Sequence, residues 1–342
     1  MLIADRGSLM KEILQKLSAY QSLTREEAKD ALTQIGRGEV NQSHISAFLT
    51  IFMMRSIKLE ELSGFTDALL ELCLKVPFDA EEVIDLCGTG GDGKDTFNIS
   101  TAASFVVAGA GQKVAKHGNY GVSSNCGSST VMEFLGTKFT SDFQILSDQM
   151  EAAGLCFLHA PLFHPAMKFV GPIRKEMGLK TFFNMLGPLV NPAFPKRQLT
   201  GVFNLELARM YGYLSQKTGR QLTIVHDLNG YDEVSLTGPV KVISPWKDVL
   251  IHPERLGLPL VKAEEIASGE TVEQSAQILT QVLQNKGTEA QKNVVLVNAG
   301  LALALSAEED AWKSGIKKAK ESIESGAAWS SFQQYIKNQP KN

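Results

Sequence analysis

Cysteine is scarce: the 342 residues hold four, Cys73, Cys87, Cys126 and Cys156, with no C-x-x-C pair. That spacing argues against a zinc ribbon and a disulfide scaffold and fits a reducing compartment. An excess of either charge is missing too. With 34 basic and 37 acidic residues the net charge is -3, so nothing general draws the chain to nucleic acid or to a membrane surface. Long apolar runs are absent: the most apolar late stretch, Val294 to Leu305, is too short for a bilayer and contains Asn298 and Gly300. The first residues, Met1-Leu-Ile-Ala-Asp-Arg, lack the basic and apolar blocks of a signal peptide. No internal repeat, low-complexity segment or long linker is visible. The expectation is a soluble cytoplasmic protein with no membrane or nucleic-acid partner.

Apolar residues are plentiful, at 44% against 21% charged, enough for a real core. The length suits one large domain or two unequal ones. Up to residue 80 the pattern is helical. Leu9, Met10, Ile13, Leu14 and Leu17 recur at helical spacing. Thr24-Arg-Glu-Glu27 reads as a capping box, with Ala28, Ala31, Leu32 and Ile35 as the stripe behind it and Gly36 as its stop. Ile45, Phe48, Leu49 and Phe52 make a third stripe, and Leu62, Phe65, Leu69 and Cys73 a fourth. These stripes predict a small helical bundle, part of whose apolar surface could meet a second subunit.

From Val83 onward strands and helices alternate. Expected strands are Val83–Cys87, Lys113–Lys116, Leu155–His159, Leu199–Phe203, Leu222–His226 and Val240–Ile243. Helical runs such as Phe143–Ala153, Leu205–Thr218 and Val272–Gln284 lie between and after them, and 292–336 is helical again. The alternation predicts an α/β domain with a mixed, mainly parallel sheet flanked by helices. The stretch His164 to Pro192 is dense in Pro and Gly, with short helical pieces at Ala166–Val170, Ile173–Met177 and Thr181–Leu186. Such a segment is expected to leave the α/β domain, pack on the N-terminal helices and return. The expected division is a helical domain, 1–80 with 163–190, and an α/β domain, 81–162 with 191–342.

The stretch Val83 to Thr101 carries the strongest chemical signal. A short strand runs into Gly88, Gly90, Gly91 and Gly93, and then into Asn98, Ser100 and Thr101 at a helix start. Bare glycines let backbone N–H groups approach a ligand, and a helix N-terminus favours an anion. Gly88, Gly90 and Gly93 satisfy G-x-G-x-x-G, but the acidic residue that a dinucleotide site wants at the next strand is replaced by basic Lys116-His117. No Gly-Lys-Ser/Thr follows, so the Walker pattern fails as well. The reading is a phosphate cradle outside the usual nucleotide folds. A second turn, Lys116-His117-Gly118-Asn119 through Gly121, Ser123, Ser124, Gly127 and Ser128, follows the next strand and adds an ammonium and hydroxyls at the same sheet edge. Adjacent Asp232-Glu233 suits Mg²⁺, which takes oxygen ligands and keeps water and substrate phosphate around it. Arg174 can pair bidentately with a carboxylate.

Taken in order, these motifs resemble those of the anthranilate phosphoribosyltransferase family of tryptophan biosynthesis. The resemblance rests on Gly88-Thr-Gly-Gly-Asp92, Thr96-Phe-Asn-Ile-Ser-Thr101, Lys116-His-Gly-Asn119, Gly127-Ser128, His164-Pro-Ala-Met-Lys168, Arg174, Asn184-Met-Leu-Gly-Pro-Leu189, Asn191-Pro192 and Asp232-Glu233, and it spans nearly the whole chain. It implies a homodimer through the helical domain, with phosphoribosyl pyrophosphate (PRPP) and Mg²⁺ held between the domains. It implies transfer of the 5-phosphoribosyl group to the amine of anthranilate, with no obligatory acid or base. The donor would be held by Gly88, Gly91, Asp92, Thr96, Asn98, Ile99, Ser100, Thr101, Lys116, His117, Gly118, Asn119, Ser123, Ser124 and Ser128. Anthranilate would meet Gly88, Asn119, Arg174, His117 and His164, and the metal Ser100, Asp232 and Glu233. Tyr120 and Thr130 depart from the family, where arginine and aspartate are common. Two other readings belong to the same architecture: a pyrimidine-nucleoside phosphorylase, which should lack the Asp-Glu pair, and a non-enzymatic nucleic-acid-binding paralogue, which wants a basic face.

Overall fold

The computed structural model describes residues 6–121, 126–305 and 311–340. Among them, helices α1 (Arg6–Ser18), α2 (Arg25–Gly36), α3 (Gln42–Met54) and α4 (Leu59–Leu72) open the chain. Alternation follows with β1 (Ile84–Gly88), α5 (Ile99–Gly109), β2 (Val114–Gly118), α6 (Ser128–Phe134), α7 (Phe143–Ala153) and β3 (Leu155–His159). Then come α8 (Ala160–Phe163) and α9 (Met167–Met177). The sheet resumes with β4 (Arg197–Gly201), α10 (Leu205–Thr218), β5 (Gln221–Asp227), β6 (Val240–Ile243) and β7 (Asp248–Ile251). Helices α11 (Val272–Leu283), α12 (Glu289–Leu303), α13 (Trp312–Glu324) and α14 (Ala327–Lys337) end it. The chain forms two compact units, Met1–Lys75 with Pro161–Pro192, and Val76–Ala160 with Ala193–Asn342.

In the helical unit the predicted stripes are the buried faces: Ala28, Ala31, Leu32 and Ile35 of α2, and Ile45, Phe48, Leu49 and Phe52 of α3. The Thr24 box forms in full, its hydroxyl accepting the Glu27 N–H while Glu27 accepts the Thr24 N–H. Thr24→Ala is expected to cost about 1 kcal/mol of stability, measured by denaturant titration; an unchanged midpoint would refute the cap's contribution. α2 and α4 cross at backbone contact, since a Cβ on Gly64 would lie 2.2 Å from Arg25 O. The later segment packs on α2 and α3. Its Phe182 stacks on Phe65, with centroids 4.5 Å apart, and meets Phe52 edge-on at 5.3 Å. The two pieces expected at Ala166–Val170 and Ile173–Met177 are one helix, α9, with Pro172 inside it. Gly171 precedes that proline and has no Cβ to clash with the ring, so the chain loses one hydrogen bond without breaking.

In the α/β unit the strand order is β3-β2-β1-β4-β5-β6-β7. β1 to β5 run parallel; β6 and β7 are antiparallel. β4 begins and ends two residues before the expected Leu199–Phe203, because polar Arg197 and Gln198 hide its start; Gln198 is buried and receives the Arg220 guanidinium at 2.9 Å. β7 lies outside the expected strands: it is a four-residue edge strand, Asp-Val-Leu-Ile, of which only Ile251 is buried, too short a run for alternation to show. β1, β2 and β3 extend the sheet one way and β4, β5 the other. Direction therefore switches between β1 and β4, and ligands of such sheets bind beyond the carboxyl ends at that point.

Candidate active site

The ladder between β1 and β4 ends at Gly88 opposite Gly201, on the carboxyl edge of the switch point. Both must be bare. A Cβ on Gly88 would lie 2.4 Å from Asp232 Oδ2, and one on Gly201 would lie 1.4 Å from Asp232 O. The loop after β5 thus folds back over the ends of the two central strands. The glycine loop reaches up to it: Gly90 N–H donates to Asp232 Oδ2 at 2.6 Å, and Thr96 Oγ1 donates to Glu233 Oε1 at 2.6 Å. Gly90, Gly91 and Gly93 have φ of 63°, 76° and 72°, a conformation that side chains with a Cβ rarely adopt.

Beside this loop, α5 begins at Asn98, whose Nδ2 holds Cys126 O at 2.8 Å. Asn98 Oδ1 and Thr101 Oγ1 are buried there without a hydrogen-bond partner among the described residues. Ile99, also buried, starts the helix. Lys116 stands on β2, 2% exposed, and its Nζ donates to Leu86 O at 2.6 Å and reaches Ser100 Oγ at 3.3 Å. Burial lowers the pKa of its ammonium, against the pull of Asp85 and Glu233. His117, also buried, donates its backbone N–H to Asp85 Oδ1 at 3.1 Å, and Gly118 closes the strand against the Phe157 ring. Asn119 O accepts from Ser128 Oγ at 3.2 Å and Asn119 Oδ1 from the Tyr120 N–H at 2.8 Å. The structure thus brings Gly88, Gly90, Thr96, Asp232 and Glu233 together, and places Lys116 against Ser100 and Asn119 against Ser128. Gly91 and Asp92 lie in the same loop, and Asp92 Oδ2 accepts the Asp232 N–H at 3.4 Å. Ser123 and Ser124 lie outside the described residues.

The two carboxylates face a penalty that a cation would remove. Burial, then the nearby Asp92 charge, pushes Asp232 up to about 7. Burial, then Asp232, raises Glu233 well above the usual carboxylate range. Among the described residues no three His, Cys, Asp or Glu side chains form a metal cage. An all-oxygen set of two carboxylates, with the Ser100 hydroxyl beside Lys116, fits Mg²⁺ completed by water and phosphate oxygens.

His164 and Arg174 belong to the helical unit. His164 is buried, and burial pushes it down to about 4, so its ring is neutral near pH 7. Arg174 lies on α9 with Phe183 5.2 Å from its guanidinium carbon, and its Nη2 donates to Asn184 Oδ1 at 3.1 Å. Its Nε is buried with no partner among the described residues, and burial alone lowers its pKa. A half-buried guanidinium with a vacant donor is suited to a carboxylate.

Sequence reasoning missed two residues that shape this edge. Gly201 lies in the middle of the expected strand Leu199–Phe203, whereas β4 ends on it and Asp232 lies over it. Asp227, at the end of β5, accepts the Ser235 hydroxyl at 2.6 Å and the Asn229 N–H at 2.8 Å, tying both flanks of the Asp232-Glu233 loop.

Models of the glycosyl transferase family match the chain, the helical bundle domain over residues 11–73 and the a/b domain over 80–329. An anthranilate phosphoribosyltransferase of Flavobacterium johnsoniae is 59% identical over 324 residues, covering 95% of this chain and 98% of the relative. That of Cytophaga hutchinsonii is 54% identical over 328 residues, covering 96% and 100%. Among solved structures, the Thermus thermophilus anthranilate phosphoribosyltransferase superposes with a TM-score of 0.88 at 30% identity, covering 95% of this chain and 98% of the other. The Saccharomyces cerevisiae enzyme in complex with PRPP and Mg gives 0.89 at 30% identity, covering 97% and 98%. With both domain models matched and identity this high across the full fold, the chain belongs to the anthranilate phosphoribosyltransferase family.

Proposed function

We propose that this chain transfers the 5-phosphoribosyl group of PRPP to the amine of anthranilate, releasing pyrophosphate, with Mg²⁺ held by Asp232, Glu233 and Ser100. The observation that carries this reading is the contact of the glycine loop with the half-buried carboxylate pair, through Gly90 and Thr96, at the sheet's switch point. In it the phosphoribosyl donor lies along the Gly88–Asp92 loop and the start of α5, with Thr96, Asn98, Ser100 and Thr101 around it. Lys116, His117, Asn119 and Ser128 supply further donors. Bound Mg²⁺ supplies charge neutralisation for the pyrophosphate.

The amine of anthranilate is uncharged near neutral pH and carries its own lone pair. A C–N bond forms at the anomeric carbon as the C–O bond to pyrophosphate breaks, and the amine's proton passes to water. No side chain has to remove it first, so the protein's task is to hold the amine in line. Gly88 and Asn119 flank the flat ring. His117 and His164 offer ring faces and Arg174 takes the carboxylate. Arg174→Ala is expected to raise the KM for anthranilate about 10- to 100-fold, the loss of a charged hydrogen bond worth about 1.5–3 kcal/mol. A rise confined to the KM for PRPP would remove Arg174 from this role.

In this reading the enzyme works in the cytoplasm as a homodimer through its helical unit, where Met53, Met54 and Leu74 are exposed apolar side chains. The direct test follows the loss of anthranilate fluorescence with PRPP and Mg²⁺ each omitted in turn. Loss only in the complete mixture supports the proposal. Undiminished loss without PRPP, or none with everything present, overturns it.

A further inference from the structure

α12 runs through the core of the α/β unit, with Val294, Val295, Val297 and Ala299 all buried. One amide interrupts this apolar run: Asn298, 3% exposed. A polar group there is costly unless every bond it can make is made. Its Oδ1 accepts the Val234 N–H at 3.1 Å, and its Nδ2 donates to Val234 O at 2.9 Å and Val294 O at 2.7 Å. A single side chain therefore satisfies both backbone groups of the residue that follows Glu233, as a neighbouring strand would. The helix that carries it is closely packed. A Cβ on Gly315 would lie 2.1 Å from Gly300 O, so α12 and α13 meet backbone to backbone. α12 also packs on α5, whose first turn carries Ser100. The same helix thus borders the helix of the proposed hydroxyl ligand and grips the loop of the two carboxylates.

We propose that Asn298 is a positioning residue for the metal site, fixing through Val234 where Asp232 and Glu233 present their oxygens; this rests on the assignment of Mg²⁺ to that pair. It touches neither substrate nor metal. Outer partners of this kind set how well ligating groups are oriented, and their loss weakens metal binding about 10- to 100-fold.

The test is a Mn²⁺ titration of the protein alone, read by electron paramagnetic resonance, on the parent, Asn298→Leu, Asn298→Ser, Ser331→Ala and the double variant Asp232→Asn with Glu233→Gln. Ser331 bonds Ala153 O at 2.6 Å elsewhere in the core and controls for a buried hydrogen bond lost at no benefit to the site. The expected result is a Kd for Mn²⁺ raised about 10-fold or more in both Asn298 variants, with Ser331→Ala like the parent and the double variant not binding. In turnover, the Mg²⁺ needed for half-maximal rate rises with it, while the KM for anthranilate holds. A folded Asn298→Leu that binds Mn²⁺ as the parent does, while the double variant does not, overturns the clamp and leaves the metal assignment standing. Parental binding by the double variant overturns both. Hydrogen exchange on the parent tests the grip without any substitution: the Val234 amide should exchange as slowly as the core of α12, and exchange at a loop's rate contradicts the proposal.

Discussion

Asp232→Asn combined with Glu233→Gln is expected to lower kcat/KM by about 10³-fold, and added Mg²⁺ should not restore it. The magnitude follows from removing several kcal/mol of charge stabilisation from the departing pyrophosphate, at about 1.4 kcal/mol per tenfold in rate. The change is near-isosteric. An amide oxygen can still accept the Gly90 N–H and the Thr96 hydroxyl, so the loop keeps its hydrogen bonds. Its effect on stability runs opposite to its effect on activity. Folding raises the pKa of both acids, chiefly by burial, so the ionised forms are the ones the native state disfavours. The sign follows: as pH climbs from the ordinary carboxylate range through about 7, the metal-free parent loses stability that the amide variant keeps. Without metal the variant should melt no lower than the parent at pH 8, and Mg²⁺ should raise the melting temperature of the parent alone. A variant that turns over normally at low Mg²⁺ would falsify the metal assignment.

Gly201→Ala is expected to be nearly as damaging through backbone geometry alone. The added carbon would sit 1.4 Å from Asp232 O and 2.4 Å from its carbonyl carbon. No side chain can rotate away, because the obstacle is main chain. The loop is also tied at both flanks through Asp227, so it moves only by giving up those bonds. Displacement of about 1 Å at a reacting centre costs on the order of 10²-fold in rate. The overpacking itself should cost about 1–3 kcal/mol of stability. Kinetics should show the fall in kcat and a higher Mg²⁺ requirement together. Parental kinetics in a folded Gly201→Ala enzyme would mean that the loop is not held where the strand ends place it.

Much of this is legible in the chain before any coordinates. Helical stripes such as Ala28, Ala31, Leu32 and Ile35 mark a face by periodicity alone, and that face is buried. The capping box at Thr24 is a local motif and forms as a local structure. Gly90, Gly91 and Gly93 announce left-handed backbone because few other residues tolerate it. The features that sequence does not show depend on partners distant in the chain. Gly201 looks like any glycine within a strand until Asp232 is laid over it, and Asn298 reads as a flaw in an apolar helix until Val234 is found opposite. The start of β4 escapes pattern reading because Gln198 is polar yet buried, satisfied by Arg220. α9 passes through Pro172 because the residue before that proline is glycine, a detail that counting Pro and Gly as breakers overlooks.

The most direct measurement is a crystal structure of this chain with PRPP and Mn²⁺, using anomalous scattering to locate the metal. The account predicts a Mn²⁺ peak within coordination distance of the Asp232 and Glu233 carboxylates and pyrophosphate oxygens beside the Gly88–Asp92 loop and the start of α5. Donor and metal found at any other edge of the sheet, or a Mn²⁺ peak that ignores both carboxylates, would contradict it.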